Sequence, residues 1–318
     1  MDPALLSVSS RSSDDELVVS VSSSFRPGSH DATHDAILRS SDTVLFYVHS
    51  NIMKASSPRI FDQFFASATS QDDIIDVPES SAVLNVLLHS LYDMSCASYA
   101  PSFDILEEAV DRMAFYHISP ASQIHPGRRL FSLMLTHVPL LPLRIYTFAA
   151  HYQLHELAVQ SSSYTLALSV STVTDEMAQR MGGVYLKRLM LLHIGRQETF
   201  KTIFQDPPGT HPVTRACGYE DQKRLARAWT LATAYLGWEG HIDLPINVIR
   251  ASFSDLEEGL QCEGCKSTLR DRVEEVAVQW AAVKVGATIP HSSKYVGILC
   301  PQYSANDIIC CSPNAILA

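Results

Sequence analysis

Residues 34–65 change their hydrophobic period part-way along, and that change limits what the chain can fold into. Ala36 and Leu38 alternate with polar neighbours, the turn pair Ser41-Asp42 follows, and Val44, Phe46 and Val48 alternate again. Period two on either side of a turn pair predicts two half-buried strands joined as a hairpin, with Phe46 inward and Tyr47 on the opposite face. After His49 the apolar positions Ile52, Ile60, Phe61, Phe64 and Phe65 recur at helical spacing. The hairpin therefore feeds directly into helices, and the fold class is α+β.

Further signals follow in order. Ile74-Ile75-Asp76-Val77-Pro78-Glu79 reads as a third strand and a turn. Leu84, Leu87, Leu88 and Leu91 stand at i, i+3, i+4 and i+7, giving one apolar helical stripe. Leu106–Ile118 and the group Leu130, Leu133 and Met134 supply later helices. With Asp35 at the first strand, His49 after the second and Ser57-Pro58-x-Ile60-Phe61 beyond it, the series resembles the BTB/POZ domain across residues 31–137. That resemblance implies a small sheet capped by helices, followed here by a mostly α-helical C-terminal region. It also implies homodimerisation, with Asp35, Ile60, Phe61 and Phe64 as contact residues and His49 as a structural hydrogen-bonding residue.

In BTB transcription factors a basic residue follows that histidine and forms a charged pocket with the aspartate; here Ser50 stands there. The chain also lacks the apolar-x-Glu motif frequent in adaptors of cullin ligases. Transcriptional regulator and ubiquitin-ligase substrate adaptor are thus alternatives to a plain protein-interaction scaffold. A zinc-dependent enzyme is a more distant one.

Composition bounds the rest. The 318 residues suffice for about two domains, and a formal charge of −10 argues against a generic nucleic-acid binder, which needs a basic footprint. Asp2 and the short Ala4-Leu5-Leu6 do not make a signal peptide, and His137, Pro139, Pro142 and Arg144 interrupt the most apolar stretch. Seven cysteines without such a signal fit a reducing compartment, so the expectation is an intracellular protein, cytoplasmic or nuclear, with no membrane partner.

Residues 1–30 are Ser-rich and predicted to be a disordered tail, although Leu17–Val21 has strand composition. Beyond 31–137 the reading places a helical extension over 138–205, with one helix stopping near Gly195, and a helical C-terminal region over 206–290. Residues 291–318 carry neither period and are expected to be a loose tail. Asp206-Pro207-Pro208-Gly209 is the clearest breaker; past it, helices are expected through Leu225, Trp229 and Ala232 and through Leu269, Val276 and Trp280.

His211, Cys217, Cys262 and Cys265 form the one set with metal-ligand character. Cys-x2-Cys points two thiolates at one ion, and Gly264 between them permits a tight backbone. The layout resembles the C-terminal region of fungal, mainly basidiomycete, BTB-containing proteins, where a second Cys-x2-Cys pair would complete the site. Thr214 stands where Cys217 would find its pair, so thiols without an ion are the default and structural zinc is the alternative. No Gly-x-Ser-x-Gly, Gly-x4-Gly-Lys, His-Glu-x2-His or Gly-x-Gly-x2-Gly occurs. The expectation is a non-enzyme without catalytic residues or small-molecule substrate, whose partners are a second copy of itself and other proteins.

Overall fold

The computed structural model describes residues 5–8, 19–29, 33–65, 73–239 and 243–283. They form two compact units, one running to Met190 and the other holding Leu191–Trp238 and Pro245–Val283.

The first unit is α+β. Strands β1 (Leu5–Val8), β2 (Val19–Ser22), β3 (Ala36–Arg39), β4 (Leu45–Val48) and β5 (Ile74–Asp76) make one sheet in the order β1-β2-β4-β3-β5. β3 and β4 run antiparallel with Leu38 opposite Phe46 and Ile37 opposite Tyr47, as the alternation requires. Leu38 and Phe46 enter the main core, whereas Ile37 and Leu45 join Val21 in a small cluster that Tyr47 partly covers.

Disorder through residue 30 does not hold for the described part of that segment. β2 pairs parallel with β4, and Phe25 beyond it is fully buried, edge-on to His89 at 5.1 Å and to Tyr92 at 5.2 Å. Ser23 and Ser24 each place a hydroxyl 2.7 Å from that of Tyr99. One aromatic anchor and three hydroxyls thus offset the ordering entropy that Ser content alone leaves unmet.

Helices α1 (Ser50–Ser56) and α2 (Pro58–Phe65) follow the hairpin, and α3 (Ser81–Leu91) follows β5. Asp35 and Asp42 use the same device at two helix starts. Asp35 accepts the N–H and hydroxyl of Ser50, both at 2.6 Å, and Asp42 accepts those of Ser81 at 2.8 and 2.6 Å. Each satisfies orphan donors of a first turn and places negative charge at a positive helix end. Burial works against the charged form of Asp35, but the Ser50 hydrogen bonds outweigh it and hold the carboxyl below its ordinary value.

The expected stripe on α3 is wider than a stripe. Every residue from Val83 to Ser90 is buried, because the sheet and α4 (Phe103–Phe115) enclose the helix. Full enclosure brings polar groups inside that need partners. His89 Nδ1 lies 2.7 Å from the carbonyl of Asn85, and the buried Glu79 carboxylate accepts from Arg112 at 2.7 Å and Tyr116 at 2.8 Å. Burial, then the Glu79 charge, pushes the Tyr116 hydroxyl well above its usual range, so it stays protonated and donating.

The domain boundary expected at 137 is also corrected. Helices α5 (Pro120–Gln123), α6 (Arg129–His137), α7 (Pro142–His151) and α8 (His155–Thr165) complete one core running from Phe25 to Leu189. Phe148 of α7 meets Phe103 of α4 at 5.6 Å, and Glu107 of α4 pairs with Arg144 and Arg180. A chain cut at 137 would expose that face of α4 to water. α9 (Asp175–Phe204) breaks at Gly182, whose φ of 71° is left-handed, and then continues through Gly195 to Phe204. Gly195 ends nothing, because its conformation there is helical and the buried Phe200 and Phe204 lie beyond it.

The second unit holds the rest of α9, α10 (Tyr219–Glu239), α11 (Ile246–Ala251), α12 (Ser254–Glu258) and α13 (Glu263–Ala281). Trp229 of α10 stacks on Phe253 at 4.4 Å and donates its indole N–H to the Phe204 carbonyl at 3.0 Å. Arg272 of α13 reaches the carbonyls of Ile203 and Asp206, so a cation satisfies the C-terminal end of α9. The tail expected at 291–318 lies outside the described residues.

Phe46→Ala should cost about 3–5 kcal/mol in a denaturant titration, since Phe46 is 1% exposed in the main core. Tyr47→Ala, facing the smaller cluster, should cost distinctly less; equal losses would contradict the register.

Candidate metal centre

His211 and Cys217 lie on the loop before α10, and Cys262 and Cys265 lie at the start of α13. Two local devices shape the loop. The buried Gln222 of α10 clamps His211 from both sides, its carbonyl taking the His211 N–H at 3.2 Å and its amide donating to the His211 carbonyl at 3.0 Å. Thr214 and Cys217 then exchange backbone hydrogen bonds of 3.0 and 3.3 Å, closing a tight turn that presents the Cys217 sulfur. Asp221 takes the next N–H, of Gly218, at 2.7 Å and so starts α10.

On the other side Cys262 is the residue before the first turn of α13, with extended φ −94° and ψ 120°. Cys265 is the third helical residue, so the Cys-x2-Cys spacing folds both sulfurs to one side of the helix start. Gly264 between them has a specific reason to be glycine. A Cβ there would stand 2.9 Å from two ring carbons of His211, closer than such contacts run.

The four side chains converge. His211 Nε2 is 3.2 Å from Cys265 Sγ, 3.3 Å from Cys262 Sγ and 3.5 Å from Cys217 Sγ. Cys217 and Cys265 Sγ are 3.6 Å apart, far beyond a disulfide's bond of about 2 Å. All four donor atoms lie within 4.8 Å of one another. With metal–sulfur bonds of about 2.3 Å and metal–nitrogen bonds of about 2.0 Å, a tetrahedral zinc ion holds its donors about 3.5–3.8 Å apart. The three nitrogen–sulfur spacings and the Cys217–Cys265 spacing are close to those edges, slightly contracted. His211 Nδ1 faces the Pro212 carbonyl at 2.8 Å, which places the proton on Nδ1 and leaves the Nε2 lone pair aimed into the cluster.

The electrostatics match this reading. The N–H of Cys265, followed by contacts from Cys217 and Gly264, lowers the Cys262 thiol to about 7. Burial, and then the neighbouring sulfurs, pushes Cys265 up to about 12, and burial raises Cys217 too. Left to themselves the sulfurs resist carrying charge together. A dication reverses that order, because a coordinating thiol deprotonates outright. The cluster is therefore one that could hold a metal ion, and Thr214, placed by the sequence where a fourth thiol would stand, instead closes the turn. His211 supplies the fourth donor.

The other expected site residues lie in the first unit. Asp35 is engaged as a helix cap, and His49 is buried with its N–H donating to the Tyr92 hydroxyl at 2.7 Å. Phe61 is 1% exposed and stacks on Tyr116 at 5.6 Å, so it belongs to the core and is no surface contact. Ile60 and Phe64 pack against that core with part of their surface free. Gln222, the clamp on His211, escaped sequence reading, as a polar residue in a helical run carries no signal of what it will hold. Among the described residues no helix is long and apolar enough to cross a membrane. No family model matches the chain, and no curated protein matches it either.

Gly264→Ala should weaken zinc binding by about 10–100-fold, because the added Cβ pushes the His211 ring off its aim, the size of loss seen when a ligand's orientation is disturbed. Melting of the metal-free protein should hold or rise, since alanine favours a helix by about 1 kcal/mol over glycine. Competition against a chromogenic chelator would measure the first effect and calorimetry the second.

Proposed function

We propose that this chain is a non-enzymatic interaction protein whose second unit is closed by one structural zinc ion. The observation that carries the zinc is the convergence of His211, Cys217, Cys262 and Cys265 at tetrahedral spacing. Three sulfurs and an imidazole suit zinc, while carboxylate and carbonyl oxygens would suit magnesium or calcium. Four protein donors fill a tetrahedral ion, leaving no position for a substrate or an activated water. A zinc enzyme would need such an opening, which is why a structural role is the better reading.

The interaction role rests on the BTB/POZ-like order of strands and helices in the first unit, which argues for self-association. It draws further support from α10, where Leu231 and Trp238 are 72% and 91% exposed on one apolar row with Tyr235. Such rows are where partners dock more often than where water is left in contact.

Elemental analysis of the purified chain should find one zinc per molecule. A chelator should then lower the melting of the second unit and leave that of the first unchanged, and Cys265→Ser should reproduce the loss. Metal-free protein with chelator-insensitive melting would end the zinc reading.

Light scattering on the full chain at tens of micromolar, roughly the range of weak symmetric dimers, should report twice the monomer mass. A monomer at that concentration would count against self-association while leaving the metal site untouched.

A further inference from the structure

We infer that Cys262 is a modification site, the thiol through which a hydroperoxide such as hydrogen peroxide opens the zinc centre. The inference rests on the zinc reading and adds its regulation. A cleft of about 400 Å³ within the second unit is lined by Cys217, Cys262 and Cys265. His211 is not among its lining residues, so this cleft reaches the cluster from its sulfur side. The three sulfurs are unequal there. Cys217 and Cys265 are 2% and 3% exposed, whereas Cys262, on the residue that precedes α13, is only partly covered. A small oxidant entering the cleft therefore meets Cys262 first.

The chemistry balances with peroxide as the only oxidant. The Cys262 sulfur attacks one peroxide oxygen, the O–O bond breaks, and the departing hydroxide takes a proton to become water. The sulfur has lost two electrons and is a sulfenic acid; the peroxide has gained them. The Cys265 sulfur, three residues along in the same helical turn, then attacks the sulfenyl sulfur. The S–O bond breaks, a second hydroxide leaves as water, and a Cys262–Cys265 disulfide forms with no further oxidant. The ion has now lost two of its four donors, and His211 with Cys217 cannot retain it.

The test uses the full chain after elemental analysis has established its zinc content. Substoichiometric hydrogen peroxide is added with a chromogenic zinc indicator, and dimedone traps sulfenic acid for peptide mapping. The expected result with dimedone is labelling of Cys262 ahead of Cys217 and Cys265; a parallel sample without dimedone should release one zinc per Cys262 oxidised and recover with dithiothreitol plus zinc. First labelling at Cys217 or Cys265, or zinc retained after Cys262 is oxidised, overturns the inference. Ala228→Trp narrows the cleft while leaving all four donors in the sequence, since Ala228 lines it from α10. That variant should keep its zinc and release it several-fold more slowly; an unchanged rate also overturns the inference. A chain purified without zinc defeats the zinc reading and the release step together, and the order of labelling then scores access to Cys262 separately.

Discussion

Burial of one face of the β3–β4 hairpin is the constraint from which the first unit follows. Leu38 and Phe46 sit opposite each other on that face, and a two-stranded ribbon cannot keep them from water by itself. α3 covers them and is in turn enclosed, which draws His89, Asn85 and the Glu79 carboxylate inside. A buried carboxylate is tolerable only when its charge and lone pairs are matched, and Arg112 with Tyr116 supplies both from α4. The polar network is thus a consequence of the apolar one. Asp35, just before the hairpin, and Asp42, in its turn, then fix where α1 and α3 begin.

The second unit is organised on another principle. Its helices are mostly solvated, and its buried aromatics, Trp229 on Phe253 and Trp280 beside Phe200 and Phe204, make a thin core. Thin cores gain from a crosslink, and the convergence of His211 with three cysteines stands where one would act. The turn at Thr214–Cys217 and the Gln222 clamp hold half of the donors through backbone bonds alone.

Period and spacing made the hairpin, its register, α3, α4, α10 and α13 legible, since each buries one or more faces with a regular apolar repeat. The four donors were legible too, as residue types. What spacing could not tell was their convergence, because that depends on how a loop and a helix 54 residues apart are brought together. β2 was obscured by the serine run around it; the hydroxyls of Ser23 and Ser24, just beyond the strand, find Tyr99 only in three dimensions. The boundary at 137 failed for a related reason: a proline corner marks the end of a helix, not the end of a core. Phe61 shows the limit of resemblance, since an apolar helical residue reads the same whether it faces a partner or Tyr116.

Cys217 and Cys265 are 48 residues apart in sequence. A disulfide closing a loop of that length would restrict the unfolded chain by about 4 kcal/mol at room temperature. Coordination of an ion would draw the same loop together with bonds that equilibrate. For a protein that folds around the ion, stability then grows with the logarithm of free metal, about 1.4 kcal/mol for each tenfold rise once the site is saturated. The persistence of the second unit would thereby be set by its surroundings as much as by its sequence, and scarcity of the ion would show first as a shorter-lived fold.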